Sequence, residues 1–212
     1  MAKRKRASRG SLSAEAISAA ALEIADELGL ENLTVRKLAD KLGVAPMSVY
    51  GHYNNKDEIV GSLLARVIAR FEVTDHSDAM GQDWILECFR RIRKALLTHP
   101  GVIPLLGTKA SVSPLSVQVA AEIVERFSKL GLDSNEAARQ FYAMLTFTIG
   151  TAHVEHGFQR MLGDRALAGN EKLKGMVLDD GYGDLGAIAP ALVQQVNEAS
   201  FMTSLRSLAA QP

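Results

Sequence analysis

Between Thr34 and Lys56 the sequence reads TVRKLADKLGVAPMSVYGHYNNK, a stretch that starts a helix, stops it and starts another almost at once. Thr34 is suited to an N-cap, because its hydroxyl can accept a hydrogen bond from a first-turn N–H. Val35, Leu38, Ala39 and Leu42 then recur at helical spacing. Gly43 supplies the backbone freedom for a sharp turn. Pro46, favoured at the first position of a helix, opens a second helix expected to run to about Tyr53. A helix, a short turn containing glycine and a second short helix is the sequence form of a helix-turn-helix. The segment before it supplies a third helix, with Ser13 as N-cap, Ile17, Ala20, Ala21, Ile24, Ala25 and Leu28 on one face, and Gly29 as the stop. The spacing predicts a three-helix, homeodomain-like head over residues 12–58.

The rest of the chain reads as all-α, with helical rather than alternating periodicity. Asn54-Asn55 is a turn pair, and a helix follows from about Lys56 to Arg70, with Ile59, Leu63, Leu64, Val67 and Ile68 apolar. Its length over residues 59–74 connects the head to a second domain, and FEVTDHSDAMGQD breaks the pattern near residue 75. Beyond the break, helices are expected over 84–99, around 102–106, over 114–130, over 134–161 and, after a glycine-rich loop, within 187–210. The long helix from Ser134 carries Phe141, Leu145, Phe147, Ile149 and Phe158 on more than one face, so it needs burial on two sides. A homodimer would supply the second side; a fully intramolecular core is the alternative.

Composition excludes several classes. With 47% hydrophobic residues in 212, the chain can bury a core. No run approaches the roughly 18 uncharged apolar residues of a membrane span, and acidic residues interrupt the apolar stretch after the basic N-terminus, so neither an export segment nor a membrane partner is expected. A single cysteine, Cys88, excludes an intramolecular disulfide framework and suits a cytoplasmic location. Lysine plus arginine and aspartate plus glutamate balance at 24 each, but Lys3, Arg4, Lys5, Arg6 and Arg9 precede the first acidic residue, making residues 1–11 a basic, flexible tail. No nucleophile elbow, phosphate loop or zinc-hydrolase helix occurs. No catalytic residue, cofactor or metal site is therefore assigned. His153 and His156 share a helical face, yet they bring no third ligand with them.

In PMSVYGHY only Val49 is a good aliphatic core residue, whereas Met47, Ser48, Tyr50 and His52 can reach outward. A helix of this kind lies in the DNA major groove when it belongs to a helix-turn-helix. Arg36 could reach a guanine edge, and Lys56 a phosphate at the start of the next helix, where backbone N–H groups also favour an anion. Tyr50 and Tyr53 add aromatic contacts, and the tail could touch phosphates or a minor groove. An αα-hairpin with a solvated polar face has the same spacing.

LTVRKLADKLGVAPMSVYGHYNNKDEIV resembles the N-terminal signature of TetR/AcrR-type transcriptional repressors. WILECFRRIRKALLTHPGVIPLLGT, AARQFYAMLTFTIGTAHVE and, more weakly, FMTSLRSLAA resemble the C-terminal domain of the tetracycline-repressor branch. The resemblance implies a homodimer that places two heads on a pseudo-palindromic, double-stranded operator, and a helical effector-binding and dimerisation domain over residues 75–212 whose small-molecule ligand releases the DNA. By position it puts Arg36, Met47, Ser48 and Tyr50 where family members touch bases or phosphates, and Thr34, His52 and Lys56 where they touch the backbone. It puts Cys88, Ile92, Leu105, Thr108, Phe141, Tyr142 and Leu145 around the ligand. Two positions depart from the pattern. Gly51 stands where many members carry a bulky aromatic, and Leu105 stands where the tetracycline repressor has a histidine serving ligand-borne magnesium. The second departure implies an apolar or aromatic effector. A constitutive DNA-binding dimer without a ligand, or an all-α enzyme, are the alternatives.

Overall fold

The computed structural model describes residues 12–70, 72, 80–162 and 194–210. The basic tail, the expected boundary near residue 75 and most of the glycine-rich loop lie outside the described residues. Among those described, every regular element is helical: α1 (Ala14–Leu28), α2 (Val35–Leu42), α3 (Pro46–Tyr50), α4 (Lys56–Arg70), α5 (Gly81–Thr98), α6 (Pro114–Lys129), α7 (Ser134–Leu162) and α8 (Glu198–Ala209), with short 3-10 turns at Leu30–Asn32, Pro100–Leu105 and Lys109–Ser111.

The head forms as its punctuation dictates. The Ser13 side chain accepts from the Ala16 N–H, and the Thr34 side chain accepts from the Lys37 N–H. Gly43 adopts φ +68°, the left-handed region that ends α2. Val49 is fully buried with Leu38 and Ala39, and so holds the two short helices together. Two details differ from the expectation. Leu28 is 51% exposed, because α1 ends there and turns away into the next 3-10 turn. The second helix of the motif stops at Tyr50 instead of Tyr53, with the N–H groups of His52 and Tyr53 both turning back to the Val49 carbonyl. Gly51, lacking a side chain to pack, caps this end.

One core joins α1 to α4 with Val102, Ile103 and Leu105 of the Pro100–Leu105 turn and Ala152 of α7. A second core lies among α5, α6, α7 and α8, around Trp84, Phe89, Ile123, Phe127, Met144 and Phe201. At its edge Arg93 and Glu155 form a buried ion pair, with the Arg93 guanidinium also 5.2 Å over the Phe201 ring. The helix expected over 102–106 is a 3-10 turn, since Pro104 has no N–H to continue an α-helical ladder.

Gly101 sits where this turn crosses α1. A Cβ there would fall 2.5 Å from the carbonyl carbon of Ala25 and 2.7 Å from the Asp26 nitrogen, so two backbones meet with no room for a side chain. Gly101→Ala is expected to cost about 1–3 kcal/mol through overpacking, lowering the thermal midpoint by about 2–4 °C per kcal/mol for a chain of this size. Differential scanning calorimetry checks this, and an unchanged midpoint would refute the close crossing.

Candidate DNA-reading surface and effector cavity

All seven side chains assigned to DNA are exposed: Thr34, Arg36, Met47, Ser48, Tyr50, His52 and Lys56. Met47 is 76% exposed although it is apolar, and Tyr50 is 45% exposed. Thr34 and Arg36 begin α2, Met47, Ser48 and Tyr50 belong to α3, His52 follows it, and Lys56 begins α4. Tyr53 has a different role from Tyr50. It is half-buried, and its hydroxyl reaches the Ala14 carbonyl (3.2 Å) and the Ser62 hydroxyl (3.4 Å), bracing α1 against α4. The start of α4 is also less open to an anion than its N–H groups alone suggest. Asn55 Oδ1 accepts from the Glu58 N–H (2.9 Å), and Asp57 and Glu58 bring negative charge into the first turn. Hydrogen bonds from the Asn54 side chain and backbone hold the Glu58 carboxyl below its ordinary range.

The head is joined to the body through Asp26. Its Oδ1 accepts from the Gly101 N–H (2.9 Å), and its Oδ2 accepts from Nδ1 of His99 (2.7 Å), since a carboxylate in contact with the ring requires the proton on that nitrogen. Arg66 of α4 adds a link to the Glu15 carbonyl and the Ser18 hydroxyl of α1. Nothing in the sequence spacing singled out Asp26, because an acidic residue at the end of a helix reads as solvated surface.

A cavity of about 270 Å³ opens between α4, α5, α6 and α7. Ile92, Phe141 and Leu145, three of the seven residues expected around a ligand, line it. The other four lie elsewhere. Cys88 is fully buried in the second core, where burial pushes its thiol up. Leu105 packs into the first core, and Tyr142 points outward, 71% exposed. Thr108 is exposed and caps the Lys109–Ser111 turn, donating to the Leu105 carbonyl. In their place stand Leu64, Val67 and Ile68 of α4, together with Leu106, Val117 and Ile149. Their helical spacing is that of any core residue, so the sequence held no signal that separates wall from core. A larger concavity of about 560 Å³ between α1 and α4 is bordered by the charged side chains of Glu15, Arg66 and Arg70, whereas no charged side chain lines this one among the described residues.

On α7, Tyr142 and Val154 present apolar surface outward, Val154 being 50% exposed. Glu155, between the two histidines, is turned to Arg93. His153 is exposed and His156 half-buried, its imidazole held below the usual range by burial and then by the Arg160 charge. Among the described residues no group of three or more His, Cys, Asp or Glu side chains could hold a metal ion, and no helix is long and apolar enough to cross a membrane.

Residues 17–63 match the family model for bacterial regulatory proteins of the tetR family, and residues 78–207 match the tetracyclin repressor-like C-terminal domain. The chain therefore belongs to the tetR family of bacterial regulatory proteins; it is a regulator and not an enzyme. It is 31% identical to the tetracycline repressor protein class D of Escherichia coli over 170 residues, which span 76% of this chain and 75% of that one. It is 28% identical to an HTH-type transcriptional repressor of Mycobacterium tuberculosis over 58% of this chain, and the match spans about half (48%) of that relative's length. In three dimensions it resembles a possible TetR family transcriptional regulator from Streptomyces coelicolor A3(2), with a TM-score of 0.75 at 23% identity, covering 93% of this chain and 97% of that one. That likeness is one of fold.

Asp26→Ala removes the acceptor for both His99 and Gly101. It is expected to destabilise the protein by about 1.5–3 kcal/mol, the range for a hydrogen bond to a charged group, and to speed hydrogen exchange at the Gly101 amide. Denaturant unfolding and exchange mass spectrometry read the two effects; unaltered values in both would remove Asp26 from the junction.

Proposed function

We propose that the protein is a cytoplasmic transcriptional repressor whose homodimer grips a pseudo-palindromic operator with two heads and is released when a small apolar or aromatic effector fills the cavity. The observation that carries the reading is the split within α3. Val49 is completely buried and binds the helix to its scaffold, while Met47, Ser48 and Tyr50 are held out in solvent where an ordinary hairpin would have no use for a bare methionine and tyrosine. In this reading Arg36, Met47, Ser48 and Tyr50 meet bases or phosphates, and Thr34, His52 and Lys56 meet the backbone. The exposed Tyr142 and Val154 on α7, with the outer face of α8, form the surface for the second copy.

Helix α4 supplies the coupling. Lys56 begins it at the DNA end, and Leu64, Val67 and Ile68 form cavity wall about two to three turns further on. A ligand that needs α4 displaced would change the separation of the two reading helices, and it can weaken DNA binding only by as much as it prefers the displaced state. Ile92, Phe141 and Leu145 remain the ligand-contacting residues in this reading. Cys88, Leu105, Thr108 and Tyr142 are not among the residues lining this cavity.

Fluorescence anisotropy tests the DNA step, with the segment upstream of the protein's own gene compared with a scrambled duplex and, if that fails, with sites selected from random DNA. Specific binding at least about 1000-fold tighter than non-specific binding, both weakening as salt rises, is expected. Tyr50→Ala should weaken specific binding and Arg36→Ala should relax base preference, each by about 1–3 kcal/mol. Lys56→Ala should weaken all sequences alike and reduce the salt slope by about one. Wild-type behaviour of all three variants at matched salt would rule out this docking.

A further inference from the structure

We infer that the cavity takes an uncharged, mainly aliphatic molecule bearing at most one hydroxyl, and that it discriminates against carboxylates and fused planar aromatics. The inference rests on the cavity being the effector site and narrows what that effector is.

Its walls are branched aliphatic side chains from four helices, including Leu64 and Val67 of α4, Ile92 of α5, and Leu145 and Ile149 of α7. Among the described lining residues no side chain is charged, and Ser111 and Ser116 carry the hydroxyls. The fold already uses those hydroxyls. Ser116 Oγ lies 2.8 Å from the Ser111 carbonyl and 2.9 Å from the Ser113 carbonyl, which compete for its one proton, and it accepts from the Ser113 N–H in the capping box of α6. Ser111 Oγ donates to the Thr108 carbonyl (2.7 Å). Its lone pairs remain available, so the described side chains can receive a hydrogen bond from a neutral hydroxyl but have none to give to an anion. A carboxylate entering here would lose its hydration with no replacement donor among the described lining side chains.

Aromatic ligands meet a related mismatch. Phe141 is the aromatic residue of the described wall, and its ring already lies 6.2 Å from that of Phe89, tilted by 44°. No second ring of the described wall faces it to sandwich a flat ligand. The volume of about 270 Å³ lies just under the range of roughly 300–1,000 Å³ usual for drug-sized ligands. A small, rounded or flexible molecule fits that space. Val112 and Val117, 71% and 56% exposed although both line the cavity, form an apolar rim past which such a molecule would enter.

Equilibrium dialysis of the full-length protein at pH 8 against octan-1-ol, octanoate and 2-naphthol tests this. Octan-1-ol is expected to bind one molecule per chain, at least about tenfold tighter than octanoate and tighter than 2-naphthol. Ala120→Leu and, separately, Ile149→Phe project extra volume into the cavity, and each folded variant should lose most octan-1-ol binding. Octanoate or 2-naphthol binding as tightly as octan-1-ol, absence of octan-1-ol binding, or octan-1-ol binding indifferent to both filling substitutions would overturn the inference. Anisotropy with a selected operator separates the two levels. Octan-1-ol that occupies the cavity as described yet leaves DNA affinity unchanged removes the effector reading and keeps the cavity's chemistry. A carboxylate that fills the cavity and releases DNA does the reverse.

Discussion

The crossing of α1 by the Pro100–Leu105 turn is the constraint on which the relation between head and body depends. Gly101 brings two backbones closer than any side chain would allow, and Asp26 closes the crossing by accepting from both Gly101 and His99. Removing the Cβ permits the approach, and a charged acceptor compensates the backbone N–H buried by it. The same turn continues at its other end into Leu106, which is cavity wall. A short rigid element thus touches the helix-turn-helix head at one end and the cavity at the other.

Helix α4 is the second shared member. Ile59 and Leu63 complete the head's core, while Leu64, Val67 and Ile68 face the cavity, so a single helix belongs to both units. Because tightly packed interiors have discrete arrangements and deform little, a ligand cannot enter beside α4 without either fitting the existing space or shifting the helix. The small volume of the cavity sharpens that choice. A molecule with equal affinity for both arrangements of α4 would bind silently, and one that prefers the displaced α4 would act on the head.

The head is largely legible in the sequence alone. Ser13, Thr34 and Gly43 are local signals whose physics operates within a few residues, and each stands where its chemistry requires. Burial of Val49 beside exposed Met47 and Tyr50 likewise follows from helical spacing. The cavity was less legible. Cys88 and Leu105 are apolar residues of the right region that the fold sends into its two cores, whereas Ile92, Phe141 and Leu145, no different in kind, reach the cavity. Tyr53 resembled Tyr50 in sequence, yet it serves as a strut because its hydroxyl meets α1, a partner 39 residues away in the chain.

The sequence by itself determined the helices, their caps and the helix-turn-helix, because hydrogen bonds and periodicity over a single turn are encoded by near neighbours. Tertiary structure alone decided which apolar residues would line a space and which would fill one, which acidic residue would bind head to body, and that the serines beside the cavity would be committed to their own backbone. Those outcomes depend on distances between helices far apart in the chain, and a side chain's identity says nothing about how closely the opposite wall approaches it.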